Sequence, residues 1–396
     1  MTTTIFKVSP QTCFQYFTFS IITIFLSIQA WNQSPTTDAA IITWVMGLIA
    51  WAIKRDTGLT SGQKKIVLAS CLVFIACLLS WLLSEYDLIF KKIEPDTRFL
   101  LFGLTLIAVS LSGVTINQFF IALIIAGISY GCSGLYERYY LGVNRVNGDE
   151  NAVTFGNGAF LIAACLMMIY LTRAHKALKL VAPIAIIFAL IASAYSGTRG
   201  SFLALLPLMI IMGYKFNHKG RFAVIIFTMI SIIGIGQFTS IMDRFEHGKN
   251  NVISYLENGN VRTASGQRLG MWEASLCILK HDPIWGSGPR TYRAATNNKD
   301  KECGDPAIKH NNQAHSIIFN TLATKGIIGF ISLILFLTTL IYFTFKERSP
   351  ARFILLAAVV SMLSYGLTVD LIFKVYMADK HLVLLAIIVG LARRKT

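Results

Sequence analysis

Apolar runs close to the length of a membrane-spanning helix recur along the whole chain, separated by short polar connections. A transmembrane helix needs roughly 20 mostly apolar residues. Apolar windows predict about twelve, near 14 to 30, 39 to 53, 66 to 83, 99 to 116, 119 to 136, 157 to 172, 180 to 196, 201 to 215, 221 to 241, 325 to 345, 353 to 370 and 378 to 392. The runs are too long for the alternating strands of a barrel, so the predicted fold class is an all-α, polytopic integral membrane protein. Between the ninth and tenth spans lies a long polar segment with Pro283, Pro289 and Pro306, which reads as a loop subdomain with short helices. The chain thus divides into 1–241, 242–324 and 325–396. Within the loop, "GQRLGMWEASLCILK" (266 to 280) sets Leu269, Trp272, Leu276 and Leu279 at helical spacing, predicting a short helix lying over the membrane face.

Composition agrees. Of 396 residues, 54% are hydrophobic and 14% charged, with a mean hydropathy of +0.59, which excludes a soluble globular protein of this size. The first apolar run is long enough to span and lacks a small-residue cleavage pattern, so it reads as a helix and not a signal peptide. The net charge of +16 would suggest nucleic acid in a soluble domain, but its distribution points to the membrane. With the N-terminus cytoplasmic, the inner connections include "KRDTGLTSGQKK", "TRAHKALK", "KFNHKGR", "KERSPAR" and "ARRKT", all basic, as the positive-inside rule requires. Membrane lipids, and no nucleic acid, are therefore the partners of this charge, and the 242–324 loop is expected outside. One segment, "KKIEPDTR" (91 to 98), puts positive charge on the wrong side. Cys277 and Cys303 share the outer loop and are either a disulfide or two free thiols.

Candidate chemistry gathers in the outer connections. In "SAYSGTRGSFLALLPL", Arg199 stands between two apolar runs, in a tight turn before a helix start, where free N–H groups and a guanidinium suit a phosphate. It is also readable as an interfacial arginine snorkelling to lipid headgroups. Arg268 heads the amphipathic stretch, and "GSGPRTYR" carries Arg290 and Arg293 on a glycine and proline turn; any one of these is also readable as a solvated loop charge. His315, where "HNNQAHSIIF" turns from polar to apolar, is placed to serve as a general base or simply to cap a helix. The loop "ERYYLGVNRVNGDENAVTFGNG" (137 to 158) brings Arg145, amides and Tyr139 and Tyr140, suited to sugar contacts or to an aromatic belt. His310 and His315 lack carboxylates at ligand spacing, so no metal site and no cofactor is expected. Neither a phosphate-binding GxxxxGK[ST] nor a GxSxG elbow occurs, so ATP coupling and serine hydrolysis are not indicated.

Together the layout, the "SGTRGS" turn, the "GQRLGMWE" arginine and the histidine before "NTLATKGIIGF" resemble the O-antigen ligase and polymerase superfamily of bacterial inner-membrane glycosyltransferases. Gly326, eleven residues after His315 and followed by "IIG", is the most specific piece; Ser316 stands where the family commonly has Asn. The resemblance implies metal-independent transfer of a glycan from undecaprenyl diphosphate to an acceptor hydroxyl on the periplasmic side of the inner membrane. In a ligase the acceptor is a sugar of the lipid A-core. It further implies that Arg199 and Arg268 meet the diphosphate charge, that Arg290 and Arg145 help bind substrate, and that His315 takes the acceptor proton. The basic outer loop, ten Lys and Arg against eight Asp and Glu between 242 and 314, favours a phosphorylated core acceptor and hence a ligase. A polymerase, a protein O-oligosaccharyltransferase and a secondary transporter are the rival expectations.

Overall fold

The computed structural model describes residues 9–86, 88–149, 151–172, 176–198, 200–215, 238–300 and 302–392; Arg199 and most of the expected span 221–241 lie outside the described residues. All regular structure among the described residues is helical. The helices are α1 (Pro10–Ile28), α2 (Ser34–Lys54), α3 (Ser61–Leu82), α4 (Thr97–Ser112), α5 (Ile116–Leu135), α6 (Ala152–Leu171), α7 (Lys176–Tyr195) and α8 (Gly200–Lys215). Then come α9 (Phe238–Asn258), α10 (Ala264–His281), α11 (Tyr292–Asn297), α12 (Ile317–Lys346), α13 (Ala351–Gly366) and α14, residues 375–391 with a π-helical turn at Asp379–Val383. Among the described residues eight helices are long and apolar enough to cross a membrane, and two shorter apolar ones lie within α8 and α13.

Several spans start on polar side chains in the connections. Thr60 with Gln63, and Thr115 with Gln118, form reciprocal capping boxes on α3 and α5, and Asn151 caps α6 by accepting from the Val153 amide at 2.8 Å. Almost every residue of α6 is buried, packed by α7, α8 and α13. Around it α5 meets α1 and α7, α2 meets α4, α4 meets α14, and α3 meets α12. Without a hydrophobic drive between helices in lipid, small residues at crossings allow close approach. Gly127 of α5 is one, since a Cβ there would lie 2.7 Å from the Ala185 carbonyl oxygen of α7.

Helix α12 is broken at Gly326, whose φ of 63° and ψ of −165° are open essentially to glycine alone. A break frees backbone groups that must find partners away from water. The turn after α10 supplies them: the Ser287 and Gly288 amides donate to the Ala323 and Thr324 carbonyls, and the Ile327 and Ile328 amides donate to the Pro283 and Ile284 carbonyls. Residues 327–346, at 1.5 Å rise each, then cover about 30 Å, the thickness of the hydrocarbon core. The expected span 325 to 345 coincides with this lower segment.

A second core forms around Met271, Ile278, Tyr292, Cys303 and Ile308. The buried Tyr292 hydroxyl donates to the Met271 carbonyl at 2.7 Å, and Cys277 and Cys303 are joined in a disulfide. The expected helix over 266 to 280 is present as part of α10. Gly270, Met271, Ala274 and Ile278 pack inward, while Leu276 is exposed and Trp272 half-buried. Small residues let α10 lie close against its neighbours here: a Cβ on Gly270 would come 2.9 Å from Val261.

Candidate active site

His315 is the second-last residue before α12, held at φ 49°. Its neighbour Ala314 is fixed at both backbone groups: the carbonyl accepts from Trp272 Nε1 at 3.1 Å, and the amide donates to Asn320 Oδ1 at 3.2 Å. Trp272 also stacks on Phe319, ring centroids 4.8 Å apart and 11° from parallel. This clamp docks α10 across the start of α12. Arg268, one turn before Trp272, is thereby brought within electrostatic reach of His315. Burial, and then the Arg268 charge, hold the half-buried imidazole below its usual pKa. A neutral ring at physiological pH follows, which is the state a general base needs.

Asn320 also donates from Nδ2 to Asp370 Oδ2 at 2.6 Å, and Asp370 Oδ1 accepts from the Ile372 amide at 3.0 Å. Burial pushes the Asp370 carboxyl up to about 6, opposed by the positive charge of Lys325. Asp370 belongs to the connection between α13 and α14, residues 367–374, which touches each group of candidates. At Thr368 it meets the arginine turn, where a Cβ on Gly200 would lie 3.2 Å from the Thr368 hydroxyl. At Phe373 it lies beneath Arg290, whose guanidinium is 5.2 Å from the ring centroid. Neither Asp370 nor Asn320 stood out in the sequence, because polar residues beside apolar runs are common and their pairing spans 50 positions.

Arg290, at φ 57°, donates to the Lys91 carbonyl at 2.9 Å. Burial lowers its pKa, opposed by Asp96, Glu94 and Asp370. Arg145 donates from Nε to the Ser196 carbonyl at 2.8 Å, and the Val146 amide donates to the Tyr195 carbonyl at 3.2 Å. The loop 141–149 is thus tied to the turn that carries Arg199; Arg199 itself lies outside the described residues. Gly197 has φ 62°, as the tight turn requires.

Below these groups the bundle buries two ion pairs. Lys325 bonds Asp96, and Arg98 Nε bonds Asp379 at 2.9 Å while its guanidinium lies 5.2 Å from the Trp44 ring centroid. Thr37 donates to the second Asp379 oxygen at 2.9 Å. Buried charges persist only when paired and hydrogen-bonded. The charge of "KKIEPDTR" that counted against the topology is therefore partly internal: Arg98 and Asp96 are spent inside the protein. Among the described residues one group of possible metal donors, Cys277, His281 and Cys303, lies within 4.8 Å, and its two sulfurs are bonded to each other.

Residues 184–334 match the family model described as O-Antigen ligase. This stretch is similar to the O-antigen ligase family. That stretch contains Arg199, Arg268, Arg290 and His315, while Arg145 and Asp370 fall outside it. A protein of Haemophilus influenzae described as uncharacterized is 26% identical over 343 residues, covering 82% of this chain and 83% of its own length.

Proposed function

We propose that the protein is the ligase: it transfers O-antigen polysaccharide from undecaprenyl diphosphate to a sugar hydroxyl of the lipid A-core, on the periplasmic side of the inner membrane. The observation that carries this reading is the half-buried His315 within electrostatic reach of Arg268, at the start of the broken helix α12. The acceptor hydroxyl attacks the anomeric carbon and gives its proton to His315. The bond from that carbon to the diphosphate oxygen breaks, with inversion. Arg199 and Arg268 meet the charge that grows on the leaving group, a contribution of about 3 kcal/mol for one such donor. Arg290 and Arg145 bind the same substrate from the two flanking turns. Segment 242–324 serves as the periplasmic subdomain that delivers Arg268 and Arg290 to a site framed by the transmembrane segments 1–241 and 325–396.

The basic loop supports a phosphorylated acceptor over a second carrier-linked glycan. The test is reconstitution of the full chain in liposomes with undecaprenyl-diphosphate-linked glycan and lipid A-core. Glycan on the core, with release of undecaprenyl diphosphate, is the expected product; lengthened glycan on the carrier would make it a polymerase.

A further inference from the structure

We propose that Arg293 and Lys309, on adjoining turns of segment 242–324, bind a phosphate group carried by a sugar of the acceptor core. This inference rests on the reading of the acceptor as a phosphorylated lipid A-core and names where that phosphate is held.

Asn297 joins the two backbones. Its side-chain amide donates to the Arg293 carbonyl at 2.7 Å and to the Lys309 carbonyl at 2.8 Å. Two carbonyls on one nitrogen bring the segments close enough for side chains as long as arginine and lysine to meet one bound group. Both turns are fixed from below. Next to Arg293, the buried Tyr292 donates to the Met271 carbonyl at 2.7 Å, and Thr296 donates to the Arg293 carbonyl at 3.1 Å. Before Lys309, Ile308 is buried in the same core as Tyr292 and Cys303, and the Asn311 side chain donates to the Ile308 carbonyl at 3.0 Å.

The charges are available to a ligand. Arg293 is exposed and Lys309 half-buried, and among the described residues neither side chain makes a hydrogen bond or an ion pair. Three acids lie near in sequence. Glu302 and Asp305 line a cavity with Tyr255 and Glu273 to whose wall neither cation contributes, and Asp300 follows the exposed Lys299. An arginine fork matches phosphate oxygens in pairs, and a lysine adds a compact charge with three donors.

The pair also lies within reach of the proposed base. Lys309 precedes His315 by six residues, which span at most about 20 Å even when extended. A phosphate a few sugars away from the accepting hydroxyl therefore reaches Lys309 while that hydroxyl is at His315.

The test uses the full chain in phosphatidylcholine nanodiscs, with core oligosaccharide freed of lipid A as the probe, in its phosphorylated form and after removal of its phosphates. The wild type should bind the phosphorylated form at least about tenfold more tightly, the scale of a hydrogen-bonded charge. Arg293→Gln combined with Lys309→Gln should abolish that difference with an unchanged Tm, since neither side chain is bonded within the protein. Lys280→Gln, which removes an exposed charge from α10, should preserve it. Equal binding of the two oligosaccharides by the wild type, a difference that survives in the double variant, or an equal loss in Lys280→Gln overturns the proposal. In the reconstituted transfer the double variant should raise KM for the core about tenfold, again by loss of a charged contact; a rise in KM for the lipid-linked donor instead overturns the assignment to the acceptor. The binding measurement needs no turnover. Phosphate-dependent binding that the double variant loses, found together with lengthened glycan on the carrier, defeats the ligase reading and leaves the site standing.

Discussion

Asn320 joins Ala314, the residue before His315, to Asp370 on a different connection, accepting from the Ala314 amide at 3.2 Å and donating to the carboxylate at 2.6 Å. The side chain therefore sets the backbone that aims the proposed base. Asn320→Ala should lower kcat by roughly 10- to 100-fold, the scale at which misplacement of a reacting group acts, with a smaller change in KM. Asp370→Ala should do the same by freeing the Asn320 amide. Steady-state transfer by both variants checks this, and an undiminished kcat in Asn320→Ala contradicts it.

The pH dependence follows from the sign of the His315 shift. Burial and Arg268 both disfavour the protonated ring, so the acid limb of transfer should have its midpoint below the ordinary histidine value of about 6.5. Removing the positive charge in Arg268→Gln makes protonation easier and moves that midpoint upward. Burial, the larger cause, remains, so it should still fall short of 6.5. A pH–rate profile of the two proteins tests this, and a downward shift in Arg268→Gln would refute the pairing.

Gly326 is the break point of α12. A Cβ there collides with the Ile284 carbonyl and forces a side chain into a backbone region used by glycine. Gly326→Ala should cost about 3 kcal/mol, read as a lower Tm of the detergent-solubilised protein. A Tm equal to that of the wild type would mean that the break is not held as described.

The disulfide between Cys277 and Cys303 closes a separation of 26 residues. Cross-linking a loop of that order stabilises by about 3 kcal/mol. Cys277→Ser with Cys303→Ser should therefore lower Tm, and reducing agent should do the same to the wild type while leaving the double variant unchanged. A wild type insensitive to reductant would exclude the bond.

Local signals account for what the sequence revealed. Apolar length gave the spans, the "SGTRGS" glycines gave the turn, and the spacing of His315 and Gly326 marked a special segment without giving its cause. The cause is a backbone break filled by a turn about 40 residues earlier in the chain, which no local pattern carries. Asp96 with Lys325 and Arg98 with Asp379 are 229 and 281 positions apart, so the charges of Asp96 and Arg98 read as loop charges in "KKIEPDTR". On α10 the large apolar residues mark one stripe, whereas close packing inside the protein uses Gly270 and Ala274, which no apolar pattern flags. Asp370 was hidden among the ends of two spans, although it anchors the base-bearing segment.

The role proposed for His315 is to take the acceptor proton during transfer of glycan onto the lipid A-core. Its most direct test is the lipopolysaccharide ladder of a strain lacking this gene, complemented with the wild type or with His315→Ala, beside a probe for carrier-linked glycan. The wild type should restore a full ladder, and His315→Ala should give no O-antigen bands while long polymer accumulates on the lipid carrier. A full ladder from His315→Ala would contradict it.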